Sequence, residues 1–345
     1  MANAPPQAAI ALPPAIKFTT VRLETKPSAE LACTQVEGSG DTRYSSIFVV
    51  FLNGLIAPQS LWLPVMALML RRLKLRPAAN NSTGPPRPQM LAYDRYGQGK
   101  SVGRDPGDED REPGYGHGPL DVVRDLHQLI GQTAQRGAGD VALPRLLFVA
   151  NSIGCVLARL YAQRYPGTVA GMLLLDSMMA NTDFVSIFPD PDSEGFDPDT
   201  LPSGVTSDML RKTRETFRRV FHPDVQNPEG LDRRNLAQLL PRADRPVLDR
   251  GYAGQSPYVT VVGHDPDKFA RESLEGSMET PLVISEHYTN PAWRDYNEGL
   301  MKITKLDRAK GPVIAKDCGH FVQRDDPVFV ANLACDMVDT LAGEV

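Results

Sequence analysis

One serine carries the strongest chemical signal in this 345-residue chain. In Leu147-Phe148-Val149-Ala150-Asn151-Ser152-Ile153-Gly154, an apolar run too short for a helix passes into Ser152, and a helical stretch begins at the next residue. A serine at such a strand–helix crossing needs small neighbours, and Ala150 and Gly154 flank it at two places on either side. Its hydroxyl would project above a sheet at a helix N-terminus, where the dipole favours developing negative charge. That is a setting for a nucleophile; the plain alternative is a serine that only caps the helix. Competing motifs are weaker. Gly99-Lys100-Ser101 echoes a phosphate-binding loop, but Asp94 stands where that motif needs its first glycine. Gly97 and Gly99 lack the third glycine of a dinucleotide loop. The six histidines (117, 127, 222, 264, 287 and 320) show no H-x-x-x-H or Cys/His ligand spacing, so neither a metal nor a cofactor is expected. Cys318 lies two residues from His320 and reads as a packing thiol, because Ser152 already holds the nucleophile position.

The segments that must position Ser152 follow a strand–helix rhythm. Residues 17–23 and 29–37 alternate around Lys26-Pro27-Ser28 and read as an antiparallel hairpin. Residues 46–52 are nearly all apolar, as in a strand buried on both faces. Asn53-Gly54 and a helical stretch over 59–75 come next. A strand at 89–94, a helix at 120–135, a strand at 145–150, a helix at 153–165 and a strand at 169–175 follow. Leu120, Val123, Leu126, Leu129 and Ile130 form one stripe of the first of these helices. Right-handed crossovers at this spacing give a parallel sheet with helices on both faces. Residues 180–256 break the rhythm, with many Pro and Asp residues, helix candidates at 207–221 and 228–240, and no strand. A strand at 258–262, an irregular stretch, a helix at 293–306, a strand at 312–316 and a helix at 327–341 close the chain. Residues 1–16 read as a flexible tail.

Four signals in chain order resemble the α/β-hydrolase superfamily. Ala150 to Gly154 is similar to its G-x-S-x-G nucleophile elbow, with Ala150 replacing the first glycine. Asn53-Gly54-Leu55 follows a strand where these proteins usually carry His-Gly. Tyr93 to Ser101 looks like the D-x-x-G-x-G-x-S loop after the fourth strand, which shapes the pocket wall. Gly319-His320-Phe321 precedes Pro327 and the last helix, where the superfamily places its catalytic histidine. Over roughly residues 17 to 343, the chain resembles lidded α/β hydrolases of a type abundant in fungi, mostly without an assigned substrate. The resemblance implies an α/β-hydrolase fold: a mostly parallel eight-stranded sheet with helices on both faces. Residues 17–179 and 257–345 would form the catalytic domain, and 180–256 an inserted helical lid. It also implies Ser152 as nucleophile, His320 as base, and the backbone N–H groups of Leu55 and Ile153 as the oxyanion hole. Two positions compete for the triad acid. Asp265 follows the strand after the insertion, with its G-x-x-D register off by one. Asp176 ends the strand before the insertion, needs no register adjustment, and is the expected acid.

Composition limits the alternatives. With 37 basic and 42 acidic residues the net charge is −5, which argues against a nucleic-acid partner. At 41 % hydrophobic and 23 % charged the chain is of ordinary globular make-up. The longest apolar stretch, residues 61–70, runs into Arg71 and Arg72, so no membrane span is expected. The N-terminus lacks a positive region followed by an apolar one, and the four cysteines (Cys33, Cys155, Cys318 and Cys335) include no CxxC pair. A cytoplasmic protein with reduced thiols is the expectation. The oligomeric state has no signal in the sequence. The expected function is a serine hydrolase of a carboxylic ester, lactone or thioester of a small, largely apolar molecule. The alternatives are a lyase, C–C cleaving or cyclising enzyme of secondary metabolism on the same fold, and a small-molecule receptor without turnover.

Overall fold

Strand alternation decides where the rest of the chain goes. In β3 (Ile47–Leu52) all six residues are buried. Ile47, Val49 and Phe51 join one apolar cluster and Phe48, Val50 and Leu52 the other. Each cluster therefore needs its own cover of helices. The computed structural model describes residues 12–39, 42–76, 85–112, 114–134 and 144–344. Its sheet adds β1 (Lys17–Leu23), β2 (Lys26–Val36), β4 (Gln89–Tyr93), β5 (Arg145–Ser152), β6 (Val169–Ser177), β7 (Tyr258–His264) and β8 (Ala309–Ala315). The spatial order is β1-β2-β4-β3-β5-β6-β7-β8. β1 and β2 pair antiparallel, as do β2 and β4, and all later pairings are parallel. This is the mostly parallel eight-stranded sheet that the resemblance implied.

Helix α1 (Leu63–Leu73) and helix α7 (Pro327–Gly343) cover the face bearing Val49, Phe51, Leu147, Val149, Leu173 and Leu175. Helices α2 (Pro119–Thr133) and α3 (Ile153–Arg164) cover the face bearing Phe48, Val50, Phe148, Met172 and Leu174. Among the described residues, no helix is long and apolar enough to cross a membrane.

The segment between β6 and β7 holds α4 (Ser207–Val220), whose Leu210, Thr213, Thr216 and Phe217 are buried. The helix expected over 228–240 is absent except for one turn, Leu236–Leu239. Gly230 takes a positive φ of 73°, and the Glu229 side chain is drawn to Arg95 at 2.7 Å. Arg233 reaches back to the carbonyls of His222 and Val225, both at 3.0 Å. These tertiary bonds outweigh the local helical pattern. After β7, the stretch expected to be irregular contains α5 (Pro266–Glu275), capped by Asp265 with Pro266 at its first position. Helix α6 (Asn290–Leu300) starts earlier than expected and also ends earlier, because Thr304 is already extended. Of the expected N-terminal tail, residues 1–11 lie outside the described residues, while Ile16 packs into the core. Residues 77–84 also lie outside them.

Candidate active site

Ser152 ends β5 and precedes α3 with φ 58° and ψ −124°, a conformation a non-glycine residue adopts only under local constraint. The constraint is the close crossing of strand and helix. A Cβ on Gly154 would lie 2.3 Å from the Leu52 carbonyl oxygen, so only glycine fits there. Two places before Ser152, the methyl of Ala150 is fully buried in the core, so the departure from glycine is absorbed by packing.

The next strand tip holds Asp176. Asn151 pairs with Leu175 but Ser152 pairs with Ser177, so Asp176 is the extra residue of a bulge in β6. It has φ 42° and is fully buried. His320, in the loop after β8, places Nδ1 2.6 Å from Asp176 Oδ2. The side chain of His320 keeps 25 % of its surface exposed. The Asn151 amide ties this corner together: Nδ2 donates to the carbonyls of Leu175 at 3.0 Å and His320 at 2.9 Å. Gln323 donates to Asn151 Oδ1 at 3.1 Å. Among the described residues, Ser152 Oγ makes no hydrogen bond to the His320 ring, a contact that often tightens only once substrate binds.

Asp265 has different partners. Its Oδ1 accepts the N–H groups of Asp267 and Lys268, and its Oδ2 accepts that of Asp317. Burial would raise this carboxyl, but those three N–H groups hold it below the usual range. It is bound as a helix cap, whereas Asp176 holds an imidazole.

Asp176 binds a second histidine on its other oxygen. His264, the last residue of β7, sets Nδ1 2.8 Å and its backbone N 3.2 Å from Oδ1. Burial alone would raise the Asp176 carboxyl. The charge and hydrogen bonds of His264 and then His320 outweigh burial and hold it far below the usual carboxylate range. Burial alone would lower the His264 imidazole, and Asp176 outweighs it and raises it. The two rings differ in access. Only 4 % of the His264 side chain is exposed, stacked on Phe269 at 4.1 Å and edge-on to Trp293 at 5.8 Å.

Opposite Ser152, the loop after β3 lies so close that a Cβ on Gly54 would be 3.3 Å from Ser152 Cβ. Asn53 is buried and saturated: Nδ2 donates to the Tyr93 carbonyl at 2.7 Å and Gln98 Oε1 at 2.8 Å, and Oδ1 accepts from Trp62 at 2.8 Å. Asn53 thus anchors the loop. Arg95 binds the carbonyls of Asn53 at 3.0 Å and Gly54 at 2.8 Å. Glu229, from the segment between β6 and β7, pairs with Arg95 and also accepts from Gln98 Nε2 at 3.0 Å and from the Ile56 N–H. Both members of this pair are buried, so the segment between β6 and β7 is fastened to the loop through a desolvated ion pair. Asp94 accepts from Gln59 N at 2.6 Å and Lys100 N at 2.9 Å, which fixes the loop at 94–101 as structure.

Aromatic rings run from the segment between β6 and β7 to His320. Phe188 meets Phe217 at 4.8 Å, Phe217 meets Phe221 at 5.5 Å, and Phe221 meets Phe184 at 5.8 Å. Trp293 continues the row, 5.9 Å from Phe184 and 6.2 Å from His320. Cys318 is a buried thiol pushed up to about 12 by burial and nearby carboxylates, which suits packing and not attack.

Elsewhere, Asp105, Asp108 and His117 bring ligand-type atoms within 4.8 Å of one another, a mixed set that histidine spacing does not reveal. The Lys26 ammonium sits 2.6 Å from Asp105 Oδ2 and 2.6 Å from Asp125 Oδ2, and so supplies positive charge to this buried group.

Arg95, Asn151, Glu229, His264 and Trp293 were not singled out from sequence. His264 alone had a local signal, since it stands in the Gly263-His264-Asp265 register that departs from G-x-x-D.

None of the curated proteins compared matches the chain in sequence. Solved structures share its fold. An epoxide hydrolase mutant from Vigna radiata superposes with a TM-score of 0.52 at 14% identity, covering 94% of this chain and 99% of that one. A lipase candidate, lip1 from Acinetobacter baumannii AYE, gives 0.50 at 12% identity, covering 96% and 93%. The sequence profile of the Alpha/beta hydrolase family matches residues 49–333. With that profile spanning most of the sequence over a sheet of this order, the chain belongs to the alpha/beta hydrolase family.

Proposed function

We propose that the chain is a serine hydrolase that cleaves a carboxylic ester, lactone or thioester of a small, largely apolar molecule. The observation that carries this reading is the strained Ser152 at one strand tip, with a His320–Asp176 pair at 2.6 Å beside it. Ser152 Oγ attacks the acyl carbon as its proton passes to His320 Nε2. Asp176 accepts the Nδ1–H, fixing the tautomer and stabilising the imidazolium. The N–H groups of Leu55 and Ile153 receive the oxyanion, each typically worth about 3 kcal/mol. His320 then protonates the leaving oxygen or sulfur. Water, deprotonated by His320, finally hydrolyses the acyl-serine. A serine at the elbow separates this chemistry from routes that need a carboxylate nucleophile and an alkyl-enzyme ester.

The apolar preference is supported by the ring row from Phe188 to Trp293. Residues 180–256 serve as the lid in this reading, with Glu229 as their fastening to the oxyanion loop. The test is turnover of an ester, lactone and thioester panel in ¹⁸O-labelled water. One labelled oxygen in the acid product supports hydrolysis. Unlabelled cleaved or cyclised products would overturn it, and so would ligand-induced thermal stabilisation without any turnover.

A further inference from the structure

We propose that His264 is a positioning residue, which grips the far oxygen of Asp176 so that the near oxygen stays aimed at His320. The proposal rests on the triad reading given above and adds to it a fourth member that does not touch substrate.

Asp176 projects from a bulge with positive φ, and so lacks the regular pairing that would fix its direction. Its Oδ2 has one donor, His320 Nδ1 at 2.6 Å, and its Oδ1 has two, both from His264. An ionised carboxylate only accepts, so both Nδ1 atoms carry the proton. That leaves Nε2 of each ring as the proton-accepting atom. Only His320 is open enough to use it, because His264 is closed in by Phe269 of α5 and Trp293 of α6. Trp293 is fixed in turn by its Nε1–H on the Ser177 carbonyl at 2.9 Å. The charged and polar groups that His264 meets are Asp176 from β6, Asp265 beside it and Asn290 at the start of α6. His264 is therefore built into the wall behind the acid.

Removing the side-chain donor leaves Oδ1 held only by the longer backbone N–H contact at 3.2 Å, which loosens the carboxylate. A misplacement of about 1 Å can cost up to about 100-fold in rate. The test compares His264→Leu, His264→Asn and His264→Gln in the full chain. Asn places an amide N–H near the position of Nδ1, while Gln carries it one bond too far. In His264→Leu and His264→Gln, kcat on an ester substrate is expected to fall about 10- to 100-fold with KM within about threefold. His264→Asn should recover most of that loss. The second readout needs no turnover: the low-field proton resonance of His320 Nδ1–H should persist in His264→Asn and shift or vanish in His264→Leu.

Wild-type kcat and an unshifted resonance in His264→Leu would overturn the proposal. Should that variant fail to fold, equal kcat in the Gln and Asn variants would overturn it instead. The two readouts also separate this proposal from the esterase reading. A wild type without turnover whose His320 resonance still depends on His264 would remove the reaction and support the positioning role.

Discussion

Replacing Asp176 with Asn takes one acceptor from a carboxylate that has three donors on it. The amide keeps a single oxygen, so its NH₂ must face one of the two imidazoles. If it faces His320, that ring moves its proton to Nε2 and can no longer accept one from Ser152. Loss of the equivalent acid in a well-studied triad lowers turnover by about four orders of magnitude. Stability falls too, by the value of one charge-assisted hydrogen bond, about 1.5–3 kcal/mol. The comparison is Asp265→Asn. There the amide oxygen can still accept the N–H groups that cap α5, since Asn caps about as well as Asp. Only the contact with the Asp317 N–H is weakened, at about 1 kcal/mol or about 2 °C in melting temperature. Turnover of a chromogenic ester and calorimetric melting of both variants decide between the two. Asp176→Asn should be inactive and folded, and Asp265→Asn active. An inactive Asp265→Asn beside an active Asp176→Asn would make Asp265 the triad acid instead.

Glu229→Gln leaves Arg95 buried without its counter-charge and should cost about 3–5 kcal/mol, read as a lower urea midpoint, together with a fall in kcat as the oxyanion loop loosens. Gly154→Ala drives a methyl into the Leu52 carbonyl and should abolish soluble folded protein. Gly131→Ala, where an added Cβ meets nothing within 4 Å among the described residues, should stabilise α2 by about 0.5–1 kcal/mol in thermal melts. The raised His264 imidazole contributes stability that is complete below its unfolded value of about 6.5 and is lost as pH climbs through its folded value. The wild type should therefore lose more stability than His264→Asn between pH 6 and 8, measured by urea unfolding at each pH.

How much was legible in the sequence follows the range of the forces involved. Ser152 could be found because its constraint is local: the strand, the turn and Gly154 are contiguous. The centre of the sheet could be found because β3 to β7 are buried almost throughout and read as short, mostly apolar runs. The acid was divided between Asp176 and Asp265 because the geometry at Asp176 depends on a bulge between two strands, which no spacing rule reveals. His264 on Asp176 and Glu229 on Arg95 join residues 88 and 134 positions apart, and their pairing exists only in the fold. The helix over 228–240 was over-read for the same reason, since a buried ion pair and the positive φ of Gly230 overrode the local pattern. Helix α5 is a different case. Its signal, Asp265 followed by Pro266, was present as a cap and a first-turn proline, and the capping role of Asp265 was hidden behind its candidacy as an acid.

Everything proposed for the reaction depends on Ser152 being the nucleophile and on the triad around it activating it. Labelling with a fluorophosphonate probe, followed by peptide mapping of the adduct, tests this most directly. One stoichiometric phosphonyl adduct on Ser152 is expected, with slow labelling in Asp176→Asn and none in Ser152→Ala. An adduct on another residue, or labelling that persists undiminished in Ser152→Ala, would contradict it.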